Sequence, residues 1–375
     1  MKYLIIAYNL NDAGGLSVAL NFLHQLGDYD QDKFLVITPP GSLYHDIKQP
    51  HIELQAMPGW GTYYALRWLS ERTIIRNVIL KFKPDVIFTM GNYPIPIKAI
   101  PQAVLFHYAY LLYPYNKSIK LSVRELVILF FQFVIFKSRL SYASMILVQT
   151  KTAANRLMKY YGQKLNIRIV PNAVTLINRK EEIPYKFKKE PVGLKLLCLS
   201  RYYPQKNLEI LIDIAVLAKE KQIPVCFIIT IEESQHPGAA RLLQCIKNKN
   251  LTDYIVNAGK IPRSQVPSLY HQTDGLILPT LLESFSGTYA DAMFYNKPVF
   301  TSDMDFAREI CGDAAYYFNP KDPSQILEII LSAFNDTASM KDKIASGRLR
   351  SQQYKDWKTV AKSYMEILQE LASGT

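Results

Sequence analysis

Cysteine is scarce in this 375-residue chain: Cys198, Cys226, Cys245 and Cys311 are the only four, and none forms a CxxC pair or another metal-type spacing. That excludes a disulfide scaffold, disfavours a zinc site and predicts a reducing cytoplasmic setting. Hydrophobic runs of spanning length are also missing. The greasy stretch Leu126 to Phe136 has eleven residues, with Gln132 its one polar member, whereas a bilayer crossing needs roughly 20. No small-residue cleavage site follows the apolar run of MKYLIIAYNL, which reads as a first buried strand and not as a signal peptide. Low-complexity tracts and solenoid-length repeats are absent. Acid is the last shortage: between residues 86 and 175 Glu125 stands alone against eleven Lys and Arg. The net charge of +12 is therefore concentrated in the first half, where 19 basic residues face 9 acidic ones. Such an excess suits nucleic acid, anionic lipid or a phosphorylated substrate.

What is present is a globular composition, 49% hydrophobic and 20% charged, long enough for two domains. Short apolar runs alternate with helical stretches: LIIAYN, KFLVITP, DVIFTM, AVLFHY and MILVQT, then KLLCLS, PVCFIIT, DYIVNAG, DGLILPT, KPVFTS and AAYYFN. Runs of this kind are parallel strands buried on both faces, and they predict two successive doubly wound α/β domains. The charged, proline-containing stretch 174–193 marks the boundary. The first domain is expected over 1–175 and the second over 176–354, with a C-terminal helix at about 355–375 packing back on the first. That helix shows a buried stripe at Trp357, Val360, Tyr364, Ile367 and Leu368.

The segment 117–139 has two readings. One is a buried helix of the first domain. The other is a monotopic membrane contact, in which Phe130, Phe131, Phe133 and Phe136 enter the lipid boundary while Lys117, Lys120, Arg124, Lys137 and Arg139 meet anionic headgroups. The regional charge tips the balance to the membrane. No nucleic-acid motif accompanies the charge, and the aromatics are packed together instead of spaced for stacking bases.

Two stretches carry candidate chemistry. In LLCLSRYYPQKNLEILIDIA a strand ends at Ser200 and a helix begins near Asn207, which leaves Arg201 and Lys206 on the loop at the strand's carboxyl end. Open α/β sheets bind ligands there, and two cations beside a helix suit a diphosphate; solvated loop cations are the plainer alternative. In LLESFSGTYADAMFYNKPVF a strand leads into Glu283, then Ser284-Phe285-Ser286-Gly287-Thr288, with a helix from about Thr288 that carries Asp291. Small residues allow backbone amides to approach a phosphate, although acids in a first turn also cap ordinary helices.

In this order, Arg201, Lys206-Asn207, Glu283-Ser284-Phe285, Asp291-Ala292-Met293 and Asn296-Lys297-Pro298-Val299, the chain resembles the retaining glycosyltransferases of family 4. The resemblance implies the GT-B fold, two facing Rossmann-like domains with a cleft between them. It implies that Arg201 and Lys206 hold the donor diphosphate without a metal ion, that Glu283 binds donor-sugar hydroxyls, that the amides of Phe285, Ser286 and Gly287 cap the phosphates with Ser284 and Thr288 beside them, and that Asp291 takes the ribose hydroxyls. Three positions depart from the family pattern: Asp291 stands for Glu, and Ser286 and Asn296 stand for Gly. In the first domain His107, at a strand end, is either a catalytic residue of the cleft, as the resemblance implies, or a structural or solvated one. Gly14 and Gly15 are either a turn needing positive φ or amides lining the cleft opposite the donor, before a helix that begins near Leu16 or Ser17.

The expected activity is retaining transfer of a sugar from a nucleotide-sugar donor, a substrate and not a cofactor, to an acceptor. The acceptor expected is a lipid-linked glycan of a bacterial surface polysaccharide, at the inner face of the cell membrane, with no nucleic-acid partner. A sugar-nucleotide epimerase or hydrolase of the same fold, and a non-catalytic nucleotide-sugar binding module, are the alternatives.

Overall fold

The computed structural model describes every residue except 12, 42, 64–65, 115–117, 120, 175–181 and 375. The chain divides into two compact units: residues 1–114, 123–173 and 355–375 form the first, and residues 115–122 and 174–354 form the second.

The first unit is built on a parallel sheet of seven strands: β1 (Lys2–Ile6), β2 (Lys33–Thr38), β3 (Ile52–Ala56), β4 (Val86–Thr89), β5 (Gln102–Leu105), β6 (Met145–Val148) and β7 (Ile167–Ile169). They are ordered β3-β2-β1-β4-β5-β6-β7. β4, β5 and β6 are buried along their whole length, so apolar residues fill both faces and no alternation shows. The two strands that the apolar runs do not announce, β3 and β7, are the edges. Ile52 is the one buried residue of β3 and β7 has none, and Glu53, Ala56, Arg168 and Ile169 occupy the exposed positions. Helix α1 (Ala13–His24) follows β1, and α2 (Val123–Arg139) precedes β6.

The second unit holds β8 (Leu194–Cys198), β9 (Val225–Ile229), β10 (Ile255–Asn257), β11 (Gly275–Leu278), β12 (Val299–Ser302) and β13 (Ala315–Phe318), ordered β10-β9-β8-β11-β12-β13. All six coincide with apolar runs of the sequence. Helix α3 (Ile210–Glu220) follows β8, α4 (Gly287–Phe294) follows β11, and α5 (Thr337–Ser351) packs on α4 closely enough that a Cβ on Gly347 would come within 3.0 Å of Met293.

The chain then returns to the first unit. Helix α6 (Trp357–Ser373) is capped by Asp356, whose side chain accepts from the Thr359 amide. It buries Trp357, Val360, Ala361, Tyr364, Met365, Ile367 and Leu368 in the core under β1, β4 and β5. Tyr364 meets Phe22 and Phe88 at ring-centroid distances of 5.7 and 5.5 Å. This is two doubly wound α/β units, the fold class that the strand runs predict.

Candidate active site

Strand pairing assembles the donor-side residues. β8 and β11 are hydrogen-bonded neighbours, Leu196 beside Gly275 and Leu197 beside Leu276, so the loops leaving their carboxyl ends lie together although about eighty residues separate them. Lys206 and Glu283 are brought into direct contact, Nζ donating to Oε2 at 2.5 Å, with 13% and 17% of their side chains exposed. A second bond ties the same loops, the Leu281 amide donating to the Gln205 carbonyl at 2.8 Å.

The first loop differs from expectation in one respect. The helix begins at Ile210, not near Asn207. Residues Pro204–Lys206 form a single 3-10 turn, and Asn207 closes it at φ 55°. Asparagine tolerates this left-handed conformation. Its amide donates to the carbonyls of Pro279 and Pro320 at 3.2 and 2.9 Å, which pins the Lys206 loop to the ends of β11 and β13. Arg201 sits three residues past β8 and is partly exposed.

Helix α4 starts at Gly287, one residue before the predicted start, with Ser286 as its extended N-cap. Ser284 and Ser286 are buried, Phe285 and Thr288 are partly exposed, and Gly287 is exposed. The Ser284 amide donates to Glu283 Oε1 at 3.3 Å. Phe285 packs edge-on to Tyr354. The Ser286 hydroxyl makes no capping bond, and the N-terminus of a helix carries the positive end of its dipole. Tyr289 is anchored by a 2.7 Å bond to Thr301. Of the two departures from glycine, Ser286 has φ −119° and needs none, whereas Asn296 has φ 55°. Asparagine there keeps the conformation that glycine would adopt.

Asp291 lies one turn along α4, where burial pushes its carboxyl up to about 7, only partly opposed by the charge of Arg263. Arg263 was not among the predicted residues; nothing local in IPRSQV announces it. Among the described residues no group of three or more His, Cys, Asp or Glu side chains is placed to hold a metal ion.

In the first unit His107 follows β5, its amide donates to Asn92 Oδ1 at 2.7 Å, and burial lowers its imidazole to about 4. It is a neutral base at physiological pH. Gly14 and Gly15 correct one reading: they lie inside the first turn of α1, and neither has positive φ. Gly15 packs closely, since a Cβ would stand 3.3 Å from His107 Nε2 and 3.0 Å from the end of the Leu10 side chain.

The 117–139 segment is corrected in part. Lys117 and Lys120 lie outside the described residues. Phe136 is fully buried, packed against Phe106 and Tyr161, and Phe133 packs on Tyr161 with its ring tilted by 37°. Arg139 turns inward to a bidentate pair with Glu71, its Nη1 2.8 Å from Oε1 and its Nη2 2.7 Å from Oε2. Arg124, Phe130, Phe131 and Lys137 are exposed.

Residues 179–350 match the family model described as Glycosyl transferases group 1. No curated protein matches the chain. Among solved structures, sucrose-phosphate synthase from Thermosynechococcus elongatus superposes with a TM-score of 0.76 at 15% identity, covering 100% of both chains. Anabaena HepE in complex with UDP and glucose gives 0.70 at 16% identity, covering 99% of this chain and 100% of its own. WaaG, a glycosyltransferase involved in lipopolysaccharide biosynthesis, gives 0.70 at 11% identity, covering 98% and 99%. The fold is GT-B, the second unit is the part of the chain that matches the group 1 glycosyl transferases, and the enzyme class this match carries is glycosyl transfer.

Proposed function

We propose that the protein is a retaining, metal-independent glycosyltransferase of the family 4 type, whose second unit holds a nucleotide-sugar donor. The observation that carries this reading is the Lys206–Glu283 pair at the carboxyl ends of β8 and β11, beside the α4 N-terminus. Lys206 and Arg201 balance the charge that develops on the departing diphosphate, and the α4 amides add hydrogen bonds to the same oxygens; fixed dipoles of this kind stabilise a transition state without reorganising. Glu283 accepts from donor-sugar hydroxyls while its other oxygen steadies Lys206. Asp291, as the carboxylate, accepts from the ribose hydroxyls.

In the step itself an acceptor hydroxyl oxygen bonds to the anomeric carbon from the face that the diphosphate leaves. The carbon–oxygen bond to phosphate breaks with its electron pair going to that oxygen, and the acceptor proton passes to the departing phosphate. The protein's part is positioning and charge. The nucleotide in the HepE complex is UDP, which makes UDP-sugars the first donors to test.

The acceptor is a lipid-linked glycan of a surface polysaccharide, met at the inner membrane face. Exposed apolar residues on α2, with Phe130 and Phe131 63% and 54% exposed, and the flanking cations Arg124 and Lys137 support the membrane part of the reading. The deciding experiment is a thermal-shift screen against UDP-, GDP-, ADP- and CMP-sugars followed by a transfer assay. One nucleotide series should raise the melting temperature and be consumed only with acceptor. Turnover without acceptor indicates an epimerase or hydrolase, and binding without turnover a non-catalytic module.

A further inference from the structure

The first unit contains a cavity of about 180 Å³ that none of the predicted site residues lines. Tyr8 and Asn9 leave β1 into it, Asn92 and Tyr93 leave β4, Tyr108 leaves β5, and Arg67 enters from the side. β2 and β3 lie on one side of β1, and β5, β6 and β7 on the far side of β4. The cavity thus sits at the switch point of the sheet, where doubly wound folds bind ligands.

Its electrostatics are unbalanced. Arg67 Nε donates to Glu71 Oε1 at 2.8 Å, Arg139 makes its bidentate pair with the same carboxylate, and the Tyr8 hydroxyl adds a 3.3 Å bond. Two guanidinium groups therefore share one carboxylate whose side chain is 0% exposed, while the Arg67 and Arg139 side chains are 9% and 12% exposed. Burial pushes the Tyr8 hydroxyl up to about 12, so it supplies no compensating negative charge. The guanidinium of Arg67 lies 5.5 Å from the Tyr8 ring centroid and 4.7 Å from that of Tyr93, contacts that fix its plane. Among the described residues its buried Nη2 has no hydrogen-bond partner, and neither has the buried Asn9 Oδ1.

A buried donor on a cation and a buried acceptor, both unmet, are costly unless a ligand completes them. The backbone is shaped around this arrangement. A Cβ on Gly91 would lie 2.1 Å from Asn9 Oδ1, and Asn9 Nδ2 is held by the Gly91 carbonyl at 3.1 Å. Beyond Arg67, the helix widens into a π-helical turn over Glu71–Ile75, a distortion that recurs at functional sites.

We propose that this cavity is a subsite for an acidic group borne on a sugar, a carboxylate or a phosphate. Arg67 receives the acid, and Asn9 Oδ1 accepts from a neighbouring ring hydroxyl. The volume equals that of roughly six waters at ~30 Å³ each, enough for the acid and the ring edge that carries it. The assignment of this sugar as part of the acceptor rests on the transferase reading; the binding site itself does not.

The test is isothermal titration of the full chain with glucuronate, glucose 6-phosphate, inorganic phosphate and glucose, repeated with Arg67→Gln and Thr62→Glu. In the first variant Glu71 keeps Arg139 as its partner. The second places a carboxylate on a partly exposed rim residue. At least one acidic sugar should bind about tenfold or more tightly than glucose, as a charge-assisted bond to a buried guanidinium gives, and both variants should lose that preference. Preference for glucuronate identifies a uronate, preference for glucose 6-phosphate a sugar phosphate, and binding of phosphate as tightly as either acidic sugar removes the ring from the proposal and overturns it. Equal binding of acidic and neutral sugars, no binding at millimolar concentration, or a preference that survives both variants also overturns it. The donor thermal shift on the unmodified chain separates the two failures: donor binding without acid binding removes the subsite alone, and acid binding without any donor shift removes the transferase reading alone.

Discussion

Lys206 and Glu283 are the residues on which the proposed chemistry turns. Lys206→Ala and Glu283→Gln should each lower the rate of sugar transfer by at least about a hundredfold, the usual scale for losing a transition-state electrostatic contact, in a steady-state assay with product quantified by chromatography. Rates within a few-fold of the unmodified protein would remove the pair from the mechanism. Asp291 makes a pH-dependent case. Its folded-state value of about 7 lies above its ordinary 3.8, so the folded protein binds more protons than the unfolded chain in that window, and stability falls as pH rises from about 4 to about 7. Asp291→Asn should flatten this decline and raise the melting temperature at pH 8 by at least about 2 °C, the shift that 1 kcal/mol makes in a unit of this size. Donor affinity should rise with pH through about 7 in the unmodified protein, because the ionised form accepts from ribose, and stay level in the variant. Glu71 was invisible as a functional position: RWLSE offers an i,i+4 ion pair and no more, whereas the fold adds Arg139 from 68 residues away. Glu71→Gln leaves the buried Arg67 and the part-buried Arg139 without their shared carboxylate, and should destabilise the first unit by about 3–5 kcal/mol in denaturant unfolding.

At the scale of elements, α2 shows where hydropathy stops being informative. Its apolar run is compatible with a core helix or a surface one, and the structure divides it, Phe136 inward and Phe130 and Phe131 outward. The same division takes Arg139 out of any membrane contact. Phe130→Ser with Phe131→Ser should therefore abolish co-sedimentation with anionic vesicles without lowering the melting temperature, and Arg124→Gln with Lys137→Gln should weaken it most at low salt, the difference fading as salt screens the charges. Unchanged sedimentation in both would end the membrane reading. Central strands were legible because burial on both faces leaves an unbroken apolar run. The edges β3 and β7 were not, since half of each faces solvent and looks like loop. The displaced start of α3 has a similar cause: Pro204 and the tertiary bonds of Asn207 hold a turn where local propensity alone would continue the helix.

Over the whole molecule, the chain crosses from the first unit to the second and comes back with α6. Tyr364 is the test of that return. It is fully buried among Phe22 and Phe88, and its hydroxyl has no hydrogen-bond partner among the described residues. Tyr364→Ala should cost about 3–5 kcal/mol, and Tyr364→Phe should be neutral or stabilising by about 1 kcal/mol, both read by calorimetry as changes in the first unit's transition. The sequence by itself determined the central strands, the two α/β units and the stripe on α6, because periodicity and turn chemistry are properties of neighbours along the chain. Tertiary structure alone decided that Lys206 touches Glu283, that Arg139 faces Glu71 and not a lipid, and that Arg67 and Asn9 meet at one cavity. Charge pairing and burial depend on distance in space, and strand order, not residue number, sets that distance.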